Sequence, residues 1–286
     1  MNGKRIEFQP DKYFGKDCCM IRATIVGAAG RMGRRLIANV MENPNFTLEG
    51  AIEYAGSPLL GADAGEVAGC GKANVPITSD LAAALKNSDV MICFTNAGAF
   101  QCAELAVKAG VASVIGTTTL TPDEKEKLRS FAAAGAKMVV AGNMSIGVNL
   151  LYKLVAEATR TLGEAYDVEI VEMHHNQKKD APSGTAARLG EVVCEARNWD
   201  PAEVIKYGRS GVIGERPAKE IGMHSLRGGD VVGDHTVVFS VNGERVELTH
   251  KASSRDTFAR GALRAAEFLG SAAPGFYDMQ DVLGLK

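Results

Sequence analysis

The chain has 286 residues and a mass of 30.2 kDa, enough for one large domain or two moderate ones. A formal net charge of −2 argues against a nucleic-acid or membrane partner held by bulk charge, and no apolar run is long enough to span a bilayer. The six cysteines are scattered without Cys-x-x-Cys or Cys/His ligand spacing, so no metal site is expected and the chain reads as a protein of the reducing cytoplasm.

Residues 1–20 are polar, lack periodicity and carry no apolar core like that of a signal peptide. They read as a flexible extension or a product of start-site choice, because Met20 directly precedes the first strand. Ile21 to Val26 is that strand. It runs into Gly27-Ala-Ala-Gly-Arg-Met-Gly33 and a helix from Met32 to about Met41. Glycines at 27, 30 and 33 let the backbone turn tightly, approach a pyrophosphate and seat helix on strand. The spacing is GxxGxxG rather than GxGxxG, and a glycine-rich turn in some other α/β protein is the competing reading. A second strand, Leu48 to Ile52, ends on Glu53, an acid placed to accept hydrogen bonds from an adenosine ribose.

Gly56 to Thr78 reads as an irregular excursion. Then follow a short helix (Asp80 to Lys86), a strand (Asp89 to Phe94), a helix (Ala99 to Ala109) and a strand (Ala112 to Ile115) closed by Gly116-Thr-Thr-Thr119. Thr121-Pro-Asp-Glu124 is a helix start with Thr121 as N-cap, Pro122 first and Glu124 at N3. Lys137 to Val140 is the next strand. The alternation predicts an α/β, Rossmann-type doubly wound parallel sheet with its ligand loops at the strand C-termini. That puts Gly27–Gly33, Glu53, Thr95–Gly98, Gly116–Thr119 and Gly142–Ser145 on one edge.

Ile146 to Leu162 is a long helix leading away from the sheet. A strand through Val168, Ile170 and Val171 then enters Glu172-Met-His-His-Asn-Gln-Lys-Lys-Asp-Ala-Pro-Ser-Gly-Thr185, and a helix follows to about Arg197. Ser183, Gly184 and Thr185 open that helix and offer N–H groups and hydroxyls to an anion such as a carboxylate. His174, His175 and Lys178 stand just upstream, able to supply protons and positive charge. A capped polar surface loop would account for any one of these residues, but not for all of them together. Lys219 to Leu226, Val231 to Val241 and Arg245 to Ala252 are β-rich, with Asn242-Gly243 as a hairpin turn. Arg255 to Leu269 is a last helix, returning to the first domain beside Asp278 to Leu285. The expected organisation is an extension (1–20), a dinucleotide-binding domain (21–148), an α+β domain with a mixed β-sheet for substrate and oligomerisation (149–254), and a returning tail (255–286).

Val168-Glu-Ile-Val-Glu-Met-His-His175, Lys178 and Asp180-Ala-Pro-Ser-Gly-Thr-Ala186 resemble the signature of the 4-hydroxy-tetrahydrodipicolinate (dihydrodipicolinate) reductases. Further similar segments are Asn143-Met-Ser-Ile-Gly-Val-Asn149, Arg227-Gly-Gly-Asp230 with Gly233-Asp-His235, and Thr249-His-Lys-Ala-Ser-Ser-Arg255. The resemblance covers nearly everything after Met20. It implies that His174 is a proton donor and acceptor, that Lys178 is a proton donor, and that His175, Gly184 and Thr185 hold substrate carboxylates. It further implies that Gly27, Ala28, Ala29, Gly30, Arg31, Met32, Glu53, Gly116, Thr117, Thr118, Ala141, Gly142, Asn143 and Met144 hold NADH or NADPH. Reduction of a dicarboxylate on the route to diaminopimelate and lysine, by a homotetramer built on the β-rich domain, is the implied function. Asn96 stands where relatives often carry a basic residue. Tyr54 stands where NADPH-leaning relatives carry arginine, and a modest preference for NADH is expected. The rival readings are another two-domain NAD(P)-dependent amino-acid or semialdehyde dehydrogenase, and a non-catalytic NAD(H)-binding redox sensor.

Overall fold

The computed structural model describes residues 20–286, so the expectation for the N-terminal extension falls outside the described residues at every position but Met20. The first half of the chain alternates strand and helix. In order come β1 (Ile21–Val26), α1 (Arg31–Glu42), β2 (Phe46–Ile52), α2 (Ala64–Ala68), β3 (Ile77–Thr78), α3 (Leu81–Leu85), β4 (Val90–Cys93), α4 (Ala99–Lys108), β5 (Ala112–Ile115), α5 (Pro122–Ala133) and β6 (Lys137–Val140). α6 (Ile146–Leu162) leads to β7 (Asp167–His174), α7 (Gly184–Arg197), α8 (Pro201–Val204), β8 (Ile205–Tyr207), β9 (Ile221–Arg227), β10 (Gly233–Val241) and β11 (Glu244–Ala252). α9 (Asp256–Ser271), β12 (Gly275–Tyr277) and α10 (Met279–Val282) close the chain.

The first sheet is parallel, in the order β12-β6-β5-β4-β1-β2-β3. Its strands bury both faces, which is why they read as unbroken apolar runs. Successive residues of β4 show the consequence. Val90 and Ile92 enter a core with Leu36 of α1 and Leu263 of α9, while Met91 and Cys93 enter another with Leu81, Phe100 and Leu128. α5 starts as its sequence dictates: Thr121 Oγ1 accepts from Glu124 N–H at 3.2 Å, and Glu124 Oε2 accepts from Thr121 N–H at 2.8 Å.

The segment Gly56 to Thr78 is more ordered than its composition suggests. It holds α2 and β3, and the Asp63 carboxylate organises it by accepting from the N–H groups of Gly65, Glu66 and Ala73. Elements of five and two residues are too short to show a period. β12 escapes sequence reading for the same reason. It pairs in parallel with β6 and so carries the C-terminal tail onto the first sheet.

The second sheet runs β11-β10-β7-β9-β8 and is mixed: β10 is antiparallel to β7 and β11, and β7, β9 and β8 are mutually parallel. Leu151 and Val155 of α6 and Leu189 and Val193 of α7 cover one face, against Val168, Ile170, Val237 and Phe239. Toward the C-terminal end of β7 that covered face turns polar, carrying Glu172, His174 and, from β10, His235. None of the described helices is long and apolar enough to cross a membrane.

Candidate active site

The parallel strands reverse order on either side of β1, whose neighbours are β2 and β4, and this is where a crevice opens in sheets of this type. Gly27 there has φ +82°, and the N–H groups of Gly27 and Ala28 donate to Ile52 O at 2.8 and 2.9 Å. Gly30 caps α1 with no side-chain bond to its first turn. A Cβ on Gly33 would lie 2.0 Å from Gly27 O, so only glycine lets the helix sit this close to the loop. Glu53 Oε2 accepts from Ala29 N–H at 2.9 Å, which aims the carboxylate across the glycine loop. Along the same edge a Cβ on Gly116 would lie 2.3 Å from the Phe94 ring, and one on Gly142 would lie 3.2 Å from Thr118 Cγ2. Close-approach glycines, a helix start free of side-chain caps and an acid after β2 fit a dinucleotide, with its pyrophosphate on the α1 N-terminus. Gly27 to Met32, Glu53, Gly116 to Thr118 and Ala141 to Met144 are the residues that would hold it.

The acid/base groups come from the second sheet. Side chains alternate along β7, so Glu172 and His174 share a face. Glu172 is fully buried. Its Oε2 lies 2.6 Å from His174 Nδ1 and 2.9 Å from an Arg227 amino group, and its Oε1 accepts from the other Arg227 amino group at 2.9 Å and from Ser183 N–H at 3.1 Å. Burial works to raise the Glu172 pKa, but Arg227 and His174 outweigh it and hold the group below the usual carboxylate range. Burial pushes the His174 pKa down against the pull of Glu172. His235 stacks edge-on to His174 with ring centroids 5.2 Å apart, and burial holds it down to about 3, so it is neutral. Its Nε2 lies 3.0 Å from Ser183 Oγ, which also accepts from Ala186 N–H at 3.2 Å as the N-cap of α7.

Lys178 places its ammonium 2.8 Å from both oxygens of Asp180, and His175 is held by its N–H to Val231 O at 2.8 Å. Gly184 and Thr185 form the first turn of α7, facing the first domain. Asn143 Nδ2 donates to Thr185 Oγ1 at 2.9 Å, and a Cβ on Gly184 would meet Thr118 Cγ2 at 3.9 Å. Thus His174, Ser183, Gly184 and Thr185 come together at the end of β7, and Asn143 and Thr118 meet them from the dinucleotide edge. Ser183 is the exception to the expectation of open groups. It is 3% exposed, and both its N–H and its hydroxyl are engaged inside the protein because it caps α7 and steadies Glu172 and His235.

Sequence spacing alone assigns no role to three residues at the centre of the site: Glu172, Arg227 and His235. The signal for the first was present, because Glu172 stands two positions before His174 on a strand, which puts both side chains on one face. Arg227 and His235 come from β9 and β10, and only the sheet order brings them alongside β7. A cavity of about 540 Å³ opens at the domain junction, lined by Thr118, Asn143, Tyr152, Gly184, Thr185 and Arg188 among others. A larger hollow of about 680 Å³ lies under the N-terminal ends of β1, β4 and β5, on the opposite edge from these groups, and has no part in this chemistry.

A doubly wound sheet with a dinucleotide cradle, joined to a mixed-sheet domain that brings an acid/base cluster to the junction, defines a two-domain pyridine-nucleotide oxidoreductase. Residues 21–144 match the dihydrodipicolinate reductase N-terminus and residues 147–283 the dihydrodipicolinate reductase C-terminus. The chain belongs to the dihydrodipicolinate reductase family. It is 53% identical over 268 residues to the 4-hydroxy-tetrahydrodipicolinate reductase of Anaeromyxobacter dehalogenans (strain 2CP-C), covering 93% of this chain and 99% of that one. It is also 53% identical over 268 residues to the same enzyme of Hahella chejuensis (strain KCTC 2396), covering 93% of this chain and all of that one. Among solved structures it superposes on the dipicolinate-bound dihydrodipicolinate reductase of Paenisporosarcina sp. TG-14 with TM-score 0.72 and 27% identity, over 92% of this chain and 99% of that one.

Proposed function

We propose that this protein reduces 4-hydroxy-tetrahydrodipicolinate to tetrahydrodipicolinate with NADH or NADPH, on the route to diaminopimelate and lysine. The observation that carries the reading is the Asn143–Thr185 hydrogen bond of 2.9 Å, which joins the Ala141–Met144 loop to the α7 turn that Ser183 ties to Glu172 and, through it, to His174. The family relatives bear the name of this reaction, and a relative of known structure binds dipicolinate, a planar ring with the same two carboxylates.

The substrate is a small ring with two carboxylates, and its reduction needs a hydride at one carbon and a proton at its neighbour. The reduced nicotinamide, when bound, supplies the hydride. The chain supplies the rest. The N–H groups of Gly184 and Thr185, at the positive end of α7, bind one carboxylate with help from His175. His174 takes a proton from the ring carbon beside the hydroxyl-bearing carbon while Lys178 gives the proton with which the hydroxyl leaves as water, and His174 returns its proton to that same carbon as the hydride reaches its neighbour. Two carboxylates call for cationic and N–H partners, and this cluster has both.

Glu53 on the ribose, with Tyr54 rather than a cation beside it, supports a modest preference for NADH. The outer face of the second sheet supports a homotetramer: Val171, Met173 and Val238 are only half-buried and Leu226 is 49% exposed. Among the described residues Cys70, Cys93, Cys102 and Cys194 are free, which accords with a reducing cytoplasm.

The deciding experiment is turnover with NADH and freshly generated 4-hydroxy-tetrahydrodipicolinate, with pyridine-2,6-dicarboxylate as competitor. Consumption of NADH that depends on the substrate and is relieved competitively is expected. NADH binding without turnover would instead favour the redox-sensor reading.

A further inference from the structure

We infer that Glu172 and Arg227 act together as positioning residues for His174: the buried carboxylate fixes which imidazole nitrogen carries the fixed proton, and the guanidinium clamped on that carboxylate cancels its charge so that the imidazole can both take and give a proton near neutral pH. The inference deepens the proposed reading, in which His174 is the proton donor.

The geometry starts from the strand. Glu172 and His174 are two residues apart on β7 and face the same way, so the carboxylate has no freedom to look elsewhere. Fully buried and held below its usual pKa range, Glu172 is ionised and can only accept hydrogen bonds. The His174 nitrogen 2.6 Å from it, Nδ1, therefore carries a hydrogen. That leaves Nε2 as the nitrogen that exchanges its proton. The backbone keeps Nε2 reachable, because Gly233 presents no side chain there: a Cβ at that position would lie 3.0 Å from Nε2.

A carboxylate at this distance, alone, would stabilise the imidazolium and shift its pKa upward by about 1–3 units. His174 would then hold its proton too well to hand it on. Arg227 prevents this. It reaches from β9, and its two amino groups each lie 2.9 Å from a different oxygen of Glu172. The fork pairs both oxygens at once, which a lysine cannot do. The remaining neighbours add little net charge. Lys178 and Asp180, from the loop after β7, neutralise each other at 2.8 Å. His235 from β10 is neutral, and His250 from β11, beyond His235, is also pushed toward the neutral form by burial. Ser183 at the start of α7 carries no charge. With the Glu172–Arg227 pair balanced, burial dominates and His174 sits below the ordinary histidine value. Arg227 also donates to Asp180 O at 2.7 Å, so the same side chain steadies the loop that bears Lys178.

The alternative is that the pair only staples β7 to β9, in which case its loss would cost stability and leave proton affinity alone. The two accounts separate in the sign of a titration. His174 should be followed by imidazole NMR in the intact protein, alongside the pH dependence of kcat/KM. Glu172→Gln should lower the His174 pKa and Arg227→Gln should raise it, each by about one unit. The alkaline limb of kcat/KM should move the same way in each variant. Arg227→Lys, which keeps the charge and loses the fork, should fall between Arg227→Gln and the wild type. Unchanged titrations, or shifts of the same sign in Glu172→Gln and Arg227→Gln, would overturn the inference. If the titrations shift as stated while the kcat/KM limb stays still, the inference holds and the assignment of His174 as acid falls. Should Glu172→Gln not fold, the wild-type nitrogen shifts decide alone, since a neutral His174 protonated on Nε2 contradicts the geometry.

Discussion

Asn143 Nδ2 lies 2.9 Å from Thr185 Oγ1, and that bond joins the last ligand loop of the first sheet to the first turn of α7. The loop is braced independently, because Asn143 Oδ1 accepts from Ser145 N–H at 2.9 Å and Asn143 O accepts from Asn149 Nδ2 at 3.0 Å. Thr185→Val keeps the shape and the N–H and removes a hydroxyl whose oxygen accepts from Asn143 and whose hydrogen can be donated to the carboxylate, so the dinucleotide edge should survive while the carboxylate site is impaired. A lost hydrogen bond to a charged group is worth about 1.5–3 kcal/mol, or roughly ten- to a hundredfold in substrate KM. Steady-state kinetics with dinucleotide binding measured separately checks this. An unchanged substrate KM would remove the Thr185 hydroxyl from the substrate site.

His174→Gln and Lys178→Ala should each lower kcat by about 10²–10⁴, the usual cost of losing a general acid. Both lie outside the glycine loop and its ribose acid, so the dinucleotide Kd should stay near wild type. Near-wild-type kcat in both variants would mean that the acid is elsewhere.

Much of this site was legible because its signals are local. The glycine loop, Glu53 after β2 and the run from His174 to Thr185 are each contiguous or set by a short period, and strand–helix alternation alone predicts the parallel sheet. What was not legible depends on strands far apart in sequence meeting side by side. The partner of Glu172 is 55 residues away, and His235 reaches Ser183 across 52. Ser183 looks open as a residue type, but α7 needs a cap and Glu172 needs a donor. The short elements α2, β3 and β12 were hidden for another reason: they are too short to show a period, and β3 and β12 are held by pairing with strands distant in sequence.

Gly33→Ala should disrupt the dinucleotide cradle. Its Cβ would lie 2.0 Å from Gly27 O and 2.8 Å from Ala28 Cα, and these are backbone atoms that cannot swing aside. The expected loss is about 1–3 kcal/mol of stability, with weaker NADH binding. Gly270→Ala on α9 is the control. Nothing lies within 4 Å of a Cβ there, and alanine should stabilise the helix by up to about 1 kcal/mol. Thermal unfolding and NADH titration of both variants test the contrast, and equal effects would refute it.

Stability should fall on acidification in two stages. Burial holds His235 down to about 3, against an ordinary value of 6.5. The unfolded state therefore takes up this proton first, and the contribution is complete above about 6.5 and lost as pH falls from there toward 3. Glu169 meets an opposing burial effect, but Arg209, His224 and Arg216 draw it down to about 2 from 4.5. Its contribution is complete above about 4.5 and lost as pH falls toward 2. Both terms have the same sign. Urea midpoints should decline gently from pH 7 to 5 and more steeply below 4.5, and His235→Gln should flatten the first stage. A midpoint that rises between pH 7 and 5 would contradict the sign.

The choice between NADH and NADPH turns on the end of β2. Glu53 faces the glycine loop through Ala29 N–H and also accepts from Tyr54 N–H at 3.2 Å, so its carboxylate stands where ribose hydroxyls would be received. A 2′-phosphate there would bring like charges together unless a cation sits beside it. Tyr54 is 66% exposed and brings no cation to that place, though its ring can lie on the adenine. The nearby arginines differ in their freedom. Arg35 is tied to Asp256 at 2.6 Å, Arg34 Nε donates to Ala29 O at 3.0 Å and so keeps its guanidinium beside the loop, and Arg31 stands at the first position of α1. Arg31 and Arg34 offset part of the repulsion, so NADPH should be accepted and NADH preferred modestly in kcat/KM. Tyr54→Arg adds a planar fork that matches phosphate and should move the ratio toward NADPH by about tenfold, the worth of one charge-assisted pair at a partly exposed site. The comparison is kcat/KM for both dinucleotides at matched ionic strength, in wild type and variant. A wild type that prefers NADPH, or a variant whose ratio does not move, would show that a residue other than Tyr54 sets the choice.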